Sequence, residues 1–92
     1  MSLKELKLIM KNKVLVKIII PDIDESYDVF IPISKKVGEV IILIVKAINQ
    51  MNPNQTLASN KILYNRYTGR DYSPNLLIKN TDIRNGTNLI LI

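Results

Sequence analysis

The sequence contains no cysteine and no histidine. Thiol nucleophiles, disulfides, imidazole bases and metal sites built on nitrogen or sulfur ligands are excluded together, and most enzyme classes go with them. Without cysteine the chain is compatible with any redox compartment. Glycine is scarce, and Gly38, Gly69 and Gly86 stand too far apart for a phosphate-binding loop. Tryptophan is absent, so four tyrosines and one phenylalanine are all the rings available to stack on nucleobases. The longest uninterrupted apolar run, residues 40–45, falls far short of the roughly 20 residues that cross a bilayer, so no membrane insertion is expected. The opening MSLKELKLIMKNK carries charges at positions 4, 5, 7, 11 and 13 and no small-residue cleavage site. It does not read as a secretory signal, and a cytoplasmic location is expected.

What is present is a chain of 92 residues, 47% hydrophobic and 23% charged, which is the balance of a folded domain and not of a disordered one. At this length one core forms, burying roughly 60% or a little more of the surface the unfolded chain exposes. The organising stretch is VGEVIILIVKAINQM, residues 37–51. Val37, Val40, Ile41, Ile44, Ile48 and Met51 recur at helical spacing and form one apolar stripe that needs a sheet to lie on. Valine and isoleucine are mediocre helix formers, but the stripe outlasts a typical strand and Glu39 puts a carboxylate in the first turn, where the helix dipole favours it. Asn52 and Pro53 stop the helix.

The segments on either side read as strands. Residues 14–20, VLVKIII, are rich in β-branched side chains. Val14, Val16, Ile18 and Ile20 share one face, and Leu15, Lys17 and Ile19 share the other. The acidic turn DIDES leads into SYDVFIPI, with Tyr27, Val29 and Ile31 opposing Asp28 and Phe30, and Pro32 ends the ladder. The two form a hairpin. After the polar connection 52–60, KILYNRY reads as a third strand with Ile62 and Tyr64 inward and Leu63 outward. TGRDYSPN is turn chemistry, and LLIKNTDI is a packing segment with about one turn of helix. An Asn85-Gly86 turn that tolerates positive φ precedes a last strand with Leu89 and Leu91 inward and Ile90 and Ile92 outward. Residues 1–13 are open between an amphipathic helix (Leu3, Leu6, Ile9, Met10) and an edge strand (Leu6, Leu8, Met10). They are treated as an N-terminal extension to a domain of residues 14–92.

A hairpin, a crossover helix and strands that close on the first strand give a ββαββ mixed sheet packed on one helix, an α+β fold of β-grasp type. The run V-G-E-V-I-x-L-I from Val37, the LY pair at 63 and 64 followed by Gly69-Arg70, and the closing L-x-x-x-x-D-I-x-N-G-x-x-L-x-L from Leu77 to Leu91 together resemble ubiquitin-like domains. Among these the sequence is most similar to the small YukD/EsaB-like proteins of bacterial type VII secretion, which share the hydrophobic helix and an ending directly after the last strand. No Gly-Gly tail follows Leu91 and Ile92, so the resemblance does not extend to a conjugating modifier. It implies a non-catalytic, cytoplasmic accessory or adaptor protein of a type VII (WXG100/ESX-like) secretion system, with protein partners among the secretion-machine components and no cofactor.

Two surfaces are expected to bind partners. The first is the outward sheet face, with Leu15, Ile19, Leu63, Ile90 and Ile92, where a contiguous apolar patch would mark a contact site. The resemblance places Leu63 at the centre of the patch that ubiquitin-like domains commonly use. The competing reading is that the first 13 residues cover this face. The second surface is the far side of the helix, where Ile42 and Val45, with Leu43 at the margin, would take a partner helix or form a homodimer.

Thirteen Lys and Arg against eight Asp and Glu give a net charge of +5, which keeps a small basic nucleic-acid-binding domain as the alternative. The basic residues are scattered, with their tightest groups in the first 17 residues and around Arg66 and Arg70 near Tyr64, Tyr67 and Tyr72. A solvated basic surface or an acidic protein partner accounts for them better, and nucleic acid is not expected. Asp22, Asp24, Glu25 and Asp28 crowd one turn but lack the central glycine and terminal glutamate of a calcium loop.

Overall fold

A computed structural model describes residues 12–92. Of residues 1–13, for which helix and edge strand are both open, 1–11 lie outside the described residues, and Lys13 opens the first strand. Strand β1 (Lys13–Ile20) buries Val16, Ile18 and Ile20 on one side and leaves Leu15 and Lys17 exposed on the other, as period-2 alternation requires. Pro21 opens a single 3₁₀ turn over Pro21–Ile23, and Asp24 closes it in the left-handed region at φ 51°. The chain returns as β2 (Glu25–Pro32), antiparallel to β1 from Lys13↔Pro32 to Ile20↔Glu25.

Helix α1 spans Val37–Met51, as its periodicity predicts. The Lys36 N–H donates to Glu39 Oε1 at 3.3 Å, which seats an acidic side chain at the positive end of the helix. The first turn is docked as well as capped: the Val37 N–H donates to the Leu76 carbonyl at 2.8 Å and the Gly38 N–H to the Pro74 carbonyl at 3.0 Å. A Cβ on residue 38 would stand 3.1 Å from Pro74 Cβ and 3.2 Å from its carbonyl oxygen, so only glycine lets the helix start approach that loop without displacing it.

Two short strands complete the sheet, β3 (Leu63–Asn65) and β4 (Asn88–Leu91). The order is β2-β1-β4-β3. β4 lies parallel to β1 through Lys17↔Asn88, Ile18↔Leu89 and Ile19↔Ile90, and antiparallel to β3 through Leu63↔Leu91, Tyr64↔Ile90 and Asn65↔Leu89. First and last strands side by side, with one helix across a mixed sheet, are the expected α+β β-grasp. The segment predicted to hold one helical turn does so, as a 3₁₀ turn at Ile78–Asn80. Gly86 takes φ 89°, and its N–H donates to the Leu15 carbonyl at 2.8 Å, while Asn85 Oδ1 accepts from the Leu15 N–H at 2.7 Å. The turn before β4 is thereby clasped to β1.

The core among the described residues is wholly aliphatic: Val16, Ile18, Ile20 and Ile31 from the hairpin, six residues of α1, and Leu57, Leu63, Ile78, Ile83, Leu89 and Leu91. Three expectations are corrected here. Leu63 points inward and is 0% exposed, whereas Ile62 is exposed and Tyr64 half-buried, the reverse of the expected faces. Three consecutive apolar side chains carry no alternation, so the partner strand decides, and pairing Leu63 with the fully buried Leu91 puts both under the helix. Val45 is also in the core, at 5% exposure. At about 100° per residue the buried set from Val40 to Val45 spans roughly 140° of the helix circumference, wider than the expected stripe, with Val45 at one edge and Val40 at the other. Met51, expected in the stripe, is exposed at the last position of the helix, beside Pro53, Asn54 and Gln55.

Candidate functional site

With β1 and β4 central, the outer sheet face is read in rows across the strands. One row runs Ser26, Ile19, Ile90, Tyr64. Next to it Ile62 and Ile92 exchange both backbone hydrogen bonds, at 2.8 and 3.0 Å, and so share the face of Tyr64 and Ile90. Ile19, Ile62, Tyr64, Ile90 and Ile92 therefore form one apolar band, with Ile62 and Ile92 the most exposed. On the other side lies a polar row, Asp28, Lys17 and Asn88, extended by Arg66, whose N–H donates to the Asn88 carbonyl at 3.0 Å. Beyond it Leu15 and Phe30 pair across the hairpin, both exposed. A groove across the face has Lys17 and Arg66 on its walls together with Asp24 and Glu25.

Of the residues expected on this face, Leu15, Ile19, Ile90 and Ile92 are there, and Leu63 is not. Ile62 and Tyr64 take its place, and Phe30 extends the Leu15 end; the β3 pair becomes visible only through the β4 register. Phe30 had a signal in the sequence, since its parity with Asp28 puts it on the outward side of β2.

The band is held at its β3 end by a hydrogen-bonded turn. Asn65 Oδ1 accepts from the N–H groups of Tyr67 and Thr68 at 2.8 and 3.1 Å, the local bonding that makes asparagine a turn former. Its Nδ2 donates to Tyr72 Oη at 3.0 Å, and Tyr72 Oη donates to Asp82 Oδ1 at 2.5 Å. Partial burial, and then the carboxylate of Asp82 that accepts its proton, push the Tyr72 phenol up to about 12. Of the rings that the sequence places near Arg66 and Arg70, Tyr72 is thus committed to structure, while Tyr67 is almost fully exposed. At the acidic turn Asp22 is paired with Lys61, which ties the segment before β3 to the hairpin.

The helix face is smaller than expected. Ile42 and Leu43 are 60% and 50% exposed and line a shallow groove with Lys35 and Glu39, while Val45 faces the core. No helix among the described residues is long and apolar enough to cross a membrane.

No family model matches the sequence, and no curated protein matches it. Solved structures resemble it in fold. The ubiquitin-like domain of EccD5 from Mycobacterium xenopi aligns over 87% of this chain and 92% of its own, with a TM-score of 0.71 at 18% identity. The ubiquitin-like domain of the Mycobacterium tuberculosis type VII secretion system protein EccD1 aligns over 87% of this chain and 97% of its own, with a TM-score of 0.66 at 10% identity. A chain of the ESX-5 inner membrane complex, in its MycP5-free State II, aligns over 88% of this chain with a TM-score of 0.72 at 14% identity, and the match covers 21% of that longer chain.

Proposed function

We propose, from the premise that this chain has the ubiquitin-like fold and is similar in structure to ubiquitin-like domains of type VII secretion proteins, that it is a non-catalytic adaptor whose outer sheet face binds a protein partner. The reading places it in the cytoplasm as an accessory protein of a bacterial type VII (WXG100/ESX-like) secretion system, of the YukD/EsaB-like kind. The observation that carries it is the band of Ile19, Ile62, Tyr64, Ile90 and Ile92, five apolar side chains from three strands and the residues that adjoin them, gathered on one open face. Removing such a band from water is the main favourable term in protein association, and the flanking Lys17, Arg66, Asp24 and Glu25 would set orientation. Two of the carboxylates have structural partners: Asp82 accepts from Tyr72, and Asp22 pairs with Lys61.

Affinity capture from the native bacterium tests the proposal, comparing the wild-type chain with a Tyr64→Glu, Ile90→Asp variant that remains folded by circular dichroism. Secretion-machine components retained by the first and lost by the second are expected. Identical partner lists remove the sheet face, and lists without secretion components remove the secretion role. The nucleic-acid alternative has one observation in its favour, the exposed ring of Tyr67 between Arg66 and Arg70. Retention on DNA or RNA that falls steeply between low and moderate salt would support that alternative.

A further inference from the structure

We propose that the exposed face of α1 binds a second copy of this chain, in an antiparallel pair whose two-fold axis passes between Ile42 and Leu43. At about 100° per residue, Glu39, Lys46 and Gln50 fall within about 20° of one line along the helix, with Ile42 and Leu43 on either side of that line. The face is thus layered: a carboxylate, two apolar side chains, an ammonium. Glu39 and Lys46 stand about 5 Å on opposite sides of the Ile42–Leu43 midpoint at a 1.5 Å rise per residue. An antiparallel copy centred there sets each Glu39 against the partner's Lys46 and stacks the two apolar layers on each other. A parallel copy would oppose like charges at both levels. The surface is therefore complementary to itself in one orientation only, which is the condition for an isologous contact.

The charges are available for this pairing. The residue four after Glu39 is Leu43 and the residue four before Lys46 is Ile42, so neither has an opposite charge one turn along the helix between them. Glu39 Oε1 accepts the Lys36 N–H at 3.3 Å and its Oε2 makes a 3.9 Å contact with Lys35 between half-exposed side chains, which leaves the carboxylate further acceptor sites, and Lys46 forms no ion pair among the described residues. One face of a four-turn helix provides well under the roughly 800 Å² per partner of a standard stable interface, so the dimer is weak and concentration-dependent. Pairing through α1 leaves the outer sheet face free and does not depend on which protein that face binds.

Sedimentation equilibrium of the full chain over rising concentration tests the pairing. The wild type is expected to move from monomer to dimer, and Leu43→Glu, at an exposed position, to weaken association more than about tenfold with an unchanged melting curve. Glu39→Lys and Lys46→Glu are each expected to be monomeric, because each sets like charges across the axis. Their equimolar mixture is expected to dimerise, because both crossed contacts are then opposite in sign. Recovery in the mixture also shows that neither variant failed by misfolding. A wild-type chain that stays monomeric at millimolar concentration overturns the proposal, as does a dimer untouched by Leu43→Glu. A mixture no more associated than its components, beside a wild-type dimer, overturns the antiparallel arrangement.

Discussion

At the scale of single residues, two neighbours at the start of β3 have opposite fates. Leu63 is fully buried against the helix side of the sheet, and Ile62 is exposed on the outer face. Leu63→Ala is therefore expected to cost roughly 2–5 kcal/mol of stability, as cavities in cores do, and Ile62→Ala less than about 1 kcal/mol. Urea denaturation of the two variants distinguishes this register from the reverse one, in which the costs would be exchanged. Tyr72 is the residue with a pH signature. Its phenol is held protonated up to about 12 in the fold, above the ordinary value of 10 that it regains when unfolded. The contribution is fully present below pH 10 and is lost as pH rises from there through about 12, because the unfolded chain releases a proton that the folded chain keeps. A titration of the phenolate absorbance should show one tyrosine lagging the others, and Tyr72→Phe should remove both the lag and its share of the alkaline loss of stability.

At the scale of elements, α1 shows how far a helix can be read from spacing. Its bounds and five of its six buried positions follow from the 3.6-residue period, because the pattern is long and ends at Asn52-Pro53. Val45 did not follow, since a stripe drawn through the most regular positions stops short of the arc that a curved sheet and its loops cover. Val45→Ala is expected to lower stability by about 2 kcal/mol, whereas Ile42→Ala should change it by no more than about 0.5 kcal/mol. Thermal melts decide between a buried and an exposed Val45. The start of the helix has a dependence that no local pattern reveals: Gly38 touches Pro74, which is 36 positions later in the chain (74 − 38). Gly38→Val should destabilise by about 1–3 kcal/mol through that contact, in excess of any change in helix propensity, and Pro74→Ala should relieve part of the cost in a double-mutant cycle.

At the scale of the whole molecule, the fold closes through its most distant parts, since β4 enters between β1 and β3 and brings the fully buried Leu89 and Leu91 with it. Deleting residues 88–92 should abolish cooperative unfolding, because it removes the partner of both neighbouring strands. The outer apolar band belongs to this scale as well: its five residues come from β1, the β3 region and the β4 region, and none neighbours another in sequence. The sequence by itself determined the element order, the hairpin, the helix and the inward face of β1, β2 and β4, because each has a period that burial on one side imposes. It determined equally that thiol and imidazole chemistry are excluded, which depends on composition alone. Only the tertiary structure decided which side of β3 is inside, how much of α1 is covered, and which side chains meet on the outer sheet, because those depend on pairing registers and packing distances between segments that carry no mark of each other.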